Sequence, residues 1–322
     1  MSTPLISVVI PTRNRATLLD RTLGSLLAQT LPGERFEVIV VDNGSTDATL
    51  EICRAWAGRL RNFRSICEKE PGLHVGRHAG LRASRSELLV YADDDIRAFP
   101  TWLEGMVDAF RDLNVGLVGG NSLPEFDASP PVWWEQLKEK SPRGWAIPPL
   151  SLLDYGAKDG DIEPRLVWGC NFGVRRSLVE NAGGFHPDGM PADRLQFRGD
   201  GESHVTAFAA RRGLRIRFAP RASIHHFTPA SRLTDEYLHA RGYAQGFSRV
   251  YAEVRRRGRF DLGARFKLQL ISVKQRYVAL RLGAQHPRTH LLRGYREGIA
   301  TQVRNLECQP ELLSWITRED YL

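Results

Sequence analysis

Apolar positions in the first third of this 322-residue chain come in short blocks, each closing on polar residues. Ile6-Ser7-Val8-Val9-Ile10 is β-branched and apolar, stops at Pro11 and runs into Thr12-Arg13-Asn14-Arg15, the pattern of a buried strand and its exit loop. Leu19, Leu23, Leu26 and Leu27 then recur at helical spacing, which predicts a helix ending before Pro32-Gly33. Phe36 to Val41 predicts a second strand, ending in Asp42-Asn43-Gly44-Ser45-Thr46-Asp47. Strand, helix and strand with short connections form a βαβ unit, so both strands are predicted parallel with their exits on one edge. A helix from about Thr46 to Trp56 and a strand from Phe63 to Cys67 continue the alternation. Gly72 to Leu81, with glycines at 72, 76 and 80, reads as a glycine-rich turn in which Arg77 reaches toward a phosphate or ribose.

Leu88-Leu89-Val90-Tyr91-Ala92 is the next apolar run, and it ends on Asp93-Asp94-Asp95. Three adjacent carboxylates repel one another unless a cation or hydrogen-bond donors share the site, and the exit edge of an α/β sheet is where ligands bind. Either the acids hold magnesium or manganese, or they form a turn that caps a helix whose first position is Pro100. Asp42 leaves the same two readings open: ligand contact or βα-turn aspartate before an Asn-Gly turn. Residues 124–164, with Pro130-Pro131, Trp133-Trp134 and Pro148-Pro149, show no period and read as a long irregular insertion. Its tryptophans either stack on a ligand ring or pack. Val205, Phe208 and Ala209 predict a helix after Gly199-Asp200-Gly201-Glu202, and Leu214 to Ala219 a strand before His225-His226.

Beyond Ser231 the pattern is helical. Leu233, Tyr237, Ala240, Ala244, Phe247, Tyr251 and Val254 make one stripe, with Thr234 as N-cap and Leu233 and Leu238 spaced as a staple. Phe266, Leu270, Val273, Tyr277 and Leu280 make a second. Charge changes at the same place. Residues 232–322 carry 17 Arg and Lys against 9 Asp and Glu, which is the whole net charge of +8, while residues 1–231 carry 28 of each. Cys53, Cys67, Cys170 and Cys308 are scattered without zinc spacing, as in a reducing cytoplasm. Met1-Ser2-Thr3-Pro4 lacks the basic start of a signal peptide, and no apolar run has the length of a membrane span.

IPTRNR after the first strand, VVDNGSTD after the second, the Gly/Arg segment around Arg77 and DDD after a further strand together resemble the inverting glycosyltransferases of family 2. The resemblance continues through Trp102-Leu103, Gly169-Cys170-Asn171, Arg175-Arg176, Gly183-Gly184-Phe185 and the acidic segment ahead of Arg212-Gly213, covering about residues 5 to 226. It implies an α/β GT-A fold, a Rossmann-like mixed sheet flanked by helices, with a C-terminal helical extension. Residues 1–230 would form the catalytic domain, with a nucleotide-sugar half to about 120 and an acceptor half from 121, and residues 231–322 a basic helical region. It also implies roles. Asp42 binds the nucleotide base, with Pro11, Thr12 and Arg13 in the same pocket. Arg77 meets the diphosphate, and Asp93 and Asp94 complete the nucleotide-sugar contacts. Asp95 holds a divalent metal, magnesium or manganese, and His225 is a second ligand. Asp200 is the general base, and Asn171, Glu202, Trp133 and Trp134 belong to the acceptor side. Two positions depart from the family pattern: Gly199, where an acid is usual, and His78, where Asn is common.

The function implied is transfer of a sugar, UDP-linked by preference and otherwise GDP- or dTDP-linked, to a glycan or lipid-linked acceptor in cell-envelope polysaccharide synthesis. The basic tail adds the expectation of peripheral contact with an anionic inner membrane face. A non-catalytic nucleotide-sugar or glycan-binding module is the alternative. A nucleic-acid-binding protein would share the basic charge, but acids at the strand exits repel phosphate and the tail carries no reader motif, so no nucleic-acid partner is expected.

Overall fold

The computed structural model describes residues 3–322. Met1 and Ser2, which begin the segment read above as leaderless, lie outside them. β1 (Ile6–Thr12), α1 (Ala16–Leu26), β2 (Phe36–Asp42), α2 (Thr49–Trp56), β3 (Phe63–Cys67), α3 (Leu73–Ala83) and β4 (Leu88–Ala92) form the first half. β1 pairs in parallel with β2 and β4, and β2 with β3, so these strands exit on one edge as the βαβ pattern requires. β5 (Ile96–Ala98), α4 (Trp102–Ala109), β6 (Val115–Gly119) and β7 (Ser122–Phe126) follow. Then come β8 (Glu139–Ser141), β9 (Gly144–Ile147), β10 (Leu152–Asp154), β11 (Gly160–Asp161), β12 (Asn171–Arg175) and α5 (Arg176–Asn181). α6 (Ser203–Arg211), β13 (Arg215–Phe218) and β14 (Ile224–Thr228) precede four helices, α7 (Asp235–Arg257), α8 (Leu262–Leu282), α9 (Pro287–Cys308) and α10 (Glu311–Thr317).

An eight-stranded mixed sheet runs β11-β13-β6-β12-β4-β1-β2-β3, with β12 antiparallel to both of its neighbours. Strand alternation sends Val8 and Ile10 to the face covered by Leu19, Leu23, Trp56, Trp102 and Met106, and Val9 to the face covered by Leu81, Phe172, Phe185 and Val205. A second sheet runs β5-β14-β7-β10-β9-β8. The chain passes from the first sheet to the second at Asp93-Asp94-Asp95, between β4 and β5, so the three acids sit at the seam.

Three expectations need correction. Gly72–Leu81 is not a turn: Leu73–Ala83 is helix, and its glycines serve packing. A Cβ on Gly80 would stand 2.2 Å from Val9 Cγ1, so only glycine lets α3 lie this close to β1. Residues 124–164 are not an irregular insertion, since they supply β8 to β11. Their pieces are two to four residues long, too short to show a period. Finally, Asp93–Asp95 do not cap a helix at Pro100, because β5 intervenes and α4 starts at Trp102.

Candidate active site

β1, β2 and β4 deliver their exit loops to one cleft. Thr12, the last residue of β1, donates its hydroxyl proton to Asp94 Oδ2 at 2.6 Å. Arg15, one turn of loop later, reaches Asp94 Oδ1 at 2.8 Å and Asp95 Oδ2 at 2.9 Å. Asp42 is buried, and its Oδ1 accepts the Ser45 N–H at 2.9 Å, closing the βα turn. Two cavities that share three lining residues open beside these loops, and Asp42, read from the sequence as the base contact, lines neither, although Asn43 does. One, of 360 Å³, is lined by Pro11, Thr12, Arg13, Arg15, Asn43, Asp93 and Asp94 among others. The other, of 150 Å³, is lined by Arg77, Gly169, Cys170, Asp188, Glu202 and His226 on one side and by Tyr237 and Arg241 of α7 on the other. Asp93, Leu73 and Arg232 border both.

The three acids differ in what neutralises them. Burial works against the Asp95 charge, but His226, Arg232 and Arg15 together hold its carboxyl below the usual carboxylate range. Arg232 Nη2 lies 2.9 Å from Asp95 Oδ2, and His226 Nε2 3.3 Å from Oδ1. Burial pushes Asp94 up to about 6 despite Arg15. Burial, then the nearby Asp95, raises Asp93, whose side chain is the one that opens on both cavities. Arg77 and His226 act in the opposite direction. Asp93, Cys170 and His226 each offer a ligand atom, all within 4.8 Å of one another, and His226 Nδ1 is buried without a hydrogen-bond partner. Carboxylate, imidazole and thiol at this spacing fit a divalent ion. Burial raises the Cys170 thiol well above its ordinary value, so it would join such an ion by losing its proton.

Arg77 lies along α3 with its guanidinium seated in the second cavity. Burial opposes its charge, and Glu202, Asp93 and Asp188 outweigh that cost. Its Nη1 is 3.1 Å from Glu202 Oε2, and Gly169 N–H donates to Glu202 Oε1 at 3.1 Å. A Cβ on residue 169 would stand 1.8 Å from Arg77 Nη2, so the glycine makes room for the arginine.

Of the residues read from sequence, Pro11, Thr12, Arg13, Arg77, Asp93, Asp94 and Glu202 line the cleft. Others do not. Asp95 is turned to Arg15 and Arg232. Asp200 lies behind the cavity, its Oδ1 2.5 Å from Nδ1 of buried His186. His225 points to the opposite face of β14 from His226, with its ring 5.1 Å from that of Phe99. Asn171 spends its side chain on structure, accepting from Trp102 Nε1 and donating to Ala222 O, each at 2.9 Å. Trp133 and Trp134 pack with Phe126 and Trp145 in the apolar cluster under the second sheet. His78, the family departure, faces away from the cleft and accepts the Phe185 N–H at 2.8 Å. Arg15, Cys170, Asp188, His226, Arg232 and Arg241 were missed. IPTRNR and His225-His226 had flagged their neighbourhoods, but nothing in the tail's periodicity singled out Arg232 or Arg241. A larger cavity of 490 Å³ between α4 and β13 shares no residue with the cleft, and its arginines are paired with its own acids.

Residues 7–183, more than half of the chain, match the family model described as Glycosyl transferase family 2, and the chain belongs to that family. Among curated proteins it is similar to validoxylamine A glucosyltransferase of Streptomyces hygroscopicus subsp. jinggangensis, 44% identical over 108 residues, which is 33% of this chain and 25% of that protein. It is also similar to glycosyltransferase AglE of Haloferax volcanii, 37% identical over 119 residues, 37% of this chain and 39% of that one. The chain therefore spans well under half the length of these relatives. The mannosyltransferase PcManGT from Pyrobaculum calidifontis, solved with GDP-Man and Mn2+, has the same fold, with a TM-score of 0.56, 20% identity and coverage of 98% of this chain and 86% of that one. The architecture is thus the GT-A mixed sheet with a helical C-terminal part.

Proposed function

We propose that the chain is an inverting glycosyltransferase that moves a sugar from a nucleoside-diphosphate donor to an acceptor hydroxyl. The observation that carries this reading is the meeting of two cavities at Asp93 and Arg232, with guanidinium groups and a cation-competent acid on the donor route and Glu202 beyond them. We place the nucleotide in the 360 Å³ compartment and the reacting sugar at the 150 Å³ compartment. A UDP-sugar is the preferred donor, with GDP- and dTDP-sugars next. Asp93 and His226, with Cys170 as a third donor in reach, would hold a divalent ion; an imidazole and a thiol beside the carboxylate suit manganese better than magnesium, and manganese accompanies the nucleotide sugar in the solved mannosyltransferase. Such an ion supplies positive charge to the diphosphate. Arg77, Arg15, Arg232 and Arg241 supply the rest from this chain, placed before any charge develops.

Glu202 is the better-placed base than Asp200, because it lines the cavity while Asp200 is tied to His186. Glu202 takes the proton of the acceptor hydroxyl. The acceptor oxygen bonds the anomeric carbon as the bond from that carbon to the phosphate oxygen breaks, and the electron pair leaves with the nucleoside diphosphate. The acceptor is a glycan or lipid-linked glycan, in cytoplasm or at the inner membrane face. We divide the chain into a donor half to about 120, an acceptor half to 230 and a basic helical region from 231 that lends Arg232, Tyr237 and Arg241 to the site. No helix among the described residues is long and apolar enough to cross a membrane. Nucleotide release in the presence of acceptor tests the base. Glu202→Gln should lower turnover by ~100-fold or more with donor affinity largely kept, and Asp200→Asn by less than about 10-fold. The opposite ranking would return the role to Asp200.

A further inference from the structure

The second apolar stripe of the tail does not pack. Leu262, Phe266, Leu270, Val273, Tyr277 and Leu280 of α8 are between 52% and 83% exposed. At about 100° per residue they fall within an arc of about 80°. The opposite face, with Ala264 and Leu268 buried and Ile271 partly so, is the one that meets the cluster of α7, α9 and α10. Wheel positions put Arg265 and Arg276 along one margin of the stripe and Lys267, Lys274 and Arg281 along the other. Residues 262–296 contain eight Arg and Lys and no Asp or Glu. Arg265 and Lys267 are in ion pairs with Glu307 and Glu253, which fasten the helix to its neighbours, while Lys274, Arg276 and Arg281 are exposed.

We infer that α8 is an interfacial helix that lies in the plane of an anionic bilayer, its stripe between the headgroups and its basic margins on lipid phosphates. An apolar strip of this length left in water on a helix otherwise held by its far face marks a surface built to be covered. The charges decide what covers it. A second copy of α8 would bring two rows of like charge together, whereas an anionic lipid surface complements both margins. The inference rests on the reading that the chain works at a membrane and names the element that makes the contact.

The test is co-sedimentation of the full chain with vesicles of phosphatidylglycerol and phosphatidylcholine, or of phosphatidylcholine alone. The unmodified chain should pellet with the anionic vesicles and be released by salt. Lys274→Gln, Arg276→Gln and Arg281→Gln combined should lower partitioning by about 100-fold, at roughly fivefold per charge. Phe266→Ser with Leu270→Ser and Val273→Ser should abolish retention while leaving the thermal midpoint unchanged, since these side chains are exposed. A Tyr277→Trp chain should gain fluorescence quenching by bromine-labelled acyl chains over the unmodified chain. If the unmodified chain does not bind anionic vesicles, the membrane reading and this inference both fall. If it binds and the serine variant binds equally, without quenching at 277, the membrane reading stands and α8 is not the contact. A concentration-dependent dimer lost in the serine variant, with no vesicle binding, would assign the stripe to a second copy and overturn the inference.

Discussion

Asp93 and Asp95 sit two residues apart, yet their surroundings give them different work. Asp95 Oδ2 receives Arg15 and Arg232, so its charge is already spent on holding two guanidinium groups on the wall of the 360 Å³ cavity. Asp93 opens on both cavities beside His226 and Cys170. The two should separate on substitution. Asp93→Asn is expected to remove the manganese dependence of donor binding. Asp95→Asn should keep that dependence but weaken donor binding by roughly 10- to 100-fold, the scale of a lost charged hydrogen-bond partner. Titration calorimetry of the nucleotide-sugar with and without manganese reads both, and metal dependence lost only in the Asp95 variant would reverse the assignment. The thiol has its own signature. Cobalt added to the protein should give a thiolate-to-metal absorption band that Cys170→Ala abolishes, and an unchanged band would exclude the sulfur as a ligand.

At the scale of elements, α7 and α9 show how the tail holds together. Gly242 and Gly246 on α7 face Gly294 and Gly298 on α9. A Cβ on Gly294 would stand 2.0 Å from His239 O, and one on Gly242 2.0 Å from Leu291 O, so the two backbones touch. Each pair is spaced by four, which places both glycines on one face of its helix. Gly294→Val should push the helices apart, lower stability by about 1–3 kcal/mol or more and loosen Arg241, which α7 carries into the cleft. A melting curve checks the first, and a rise in the Michaelis constant for donor with little change in turnover checks the second. Glu253 adds a polar anchor. Burial opposes its charge, but Lys267, Arg257 and Arg256 bring its carboxyl down to about 2. Those arginines, with Arg255 bonded to Ile316 O and Arg259 paired with Asp261, are engaged in contacts within the tail.

For the molecule as a whole, the tail is laid onto the catalytic layers through a buried aromatic and histidine seam. Tyr251 and Tyr321 share a hydrogen bond of 2.8 Å, Tyr321 N–H donates to Gly183 O at 3.1 Å, and His186 stacks on His204 at 3.6 Å. The seam carries a pH dependence. Burial, then His74, lowers His78 from 6.5 to about 3, and burial, then His186, lowers His204 to about 4. The folded state keeps these rings neutral, while the unfolded chain protonates them below about 6.5. Their contribution to stability is therefore complete above that pH and is lost as pH falls from 6.5 toward 3 or 4. Each such ring steepens the loss by about 1.4 kcal/mol per pH unit across that window. Denaturant melts at pH 7, 6, 5 and 4 should show the decline. His78→Gln, which keeps an acceptor for Phe185 N–H, should flatten it, and an unchanged slope would count against the seam.

By itself the sequence determined the strands β1, β2 and β4, their parallel order, the polar exits and the acids at the third of them. Those features depend on local alternation, β-branching and short connections, which act within a few residues of the chain. It also carried the family's motifs and the two helical stripes of the tail. Only the tertiary structure decided which acid is open and which is paired, because the partners of Asp95 come from 80 and 137 residues away. It turned His226 to the cleft and His225 to Phe99 on opposite faces of β14, and it put Glu202 on the cavity wall while Asp200 is bonded to His186. It made the glycine-rich segment helix α3, whose Gly80 lets it lie against β1. And it sent two apolar stripes of similar period to different fates, α7 into a core and α8 into solvent, since periodicity defines a face and only a neighbouring surface can cover it.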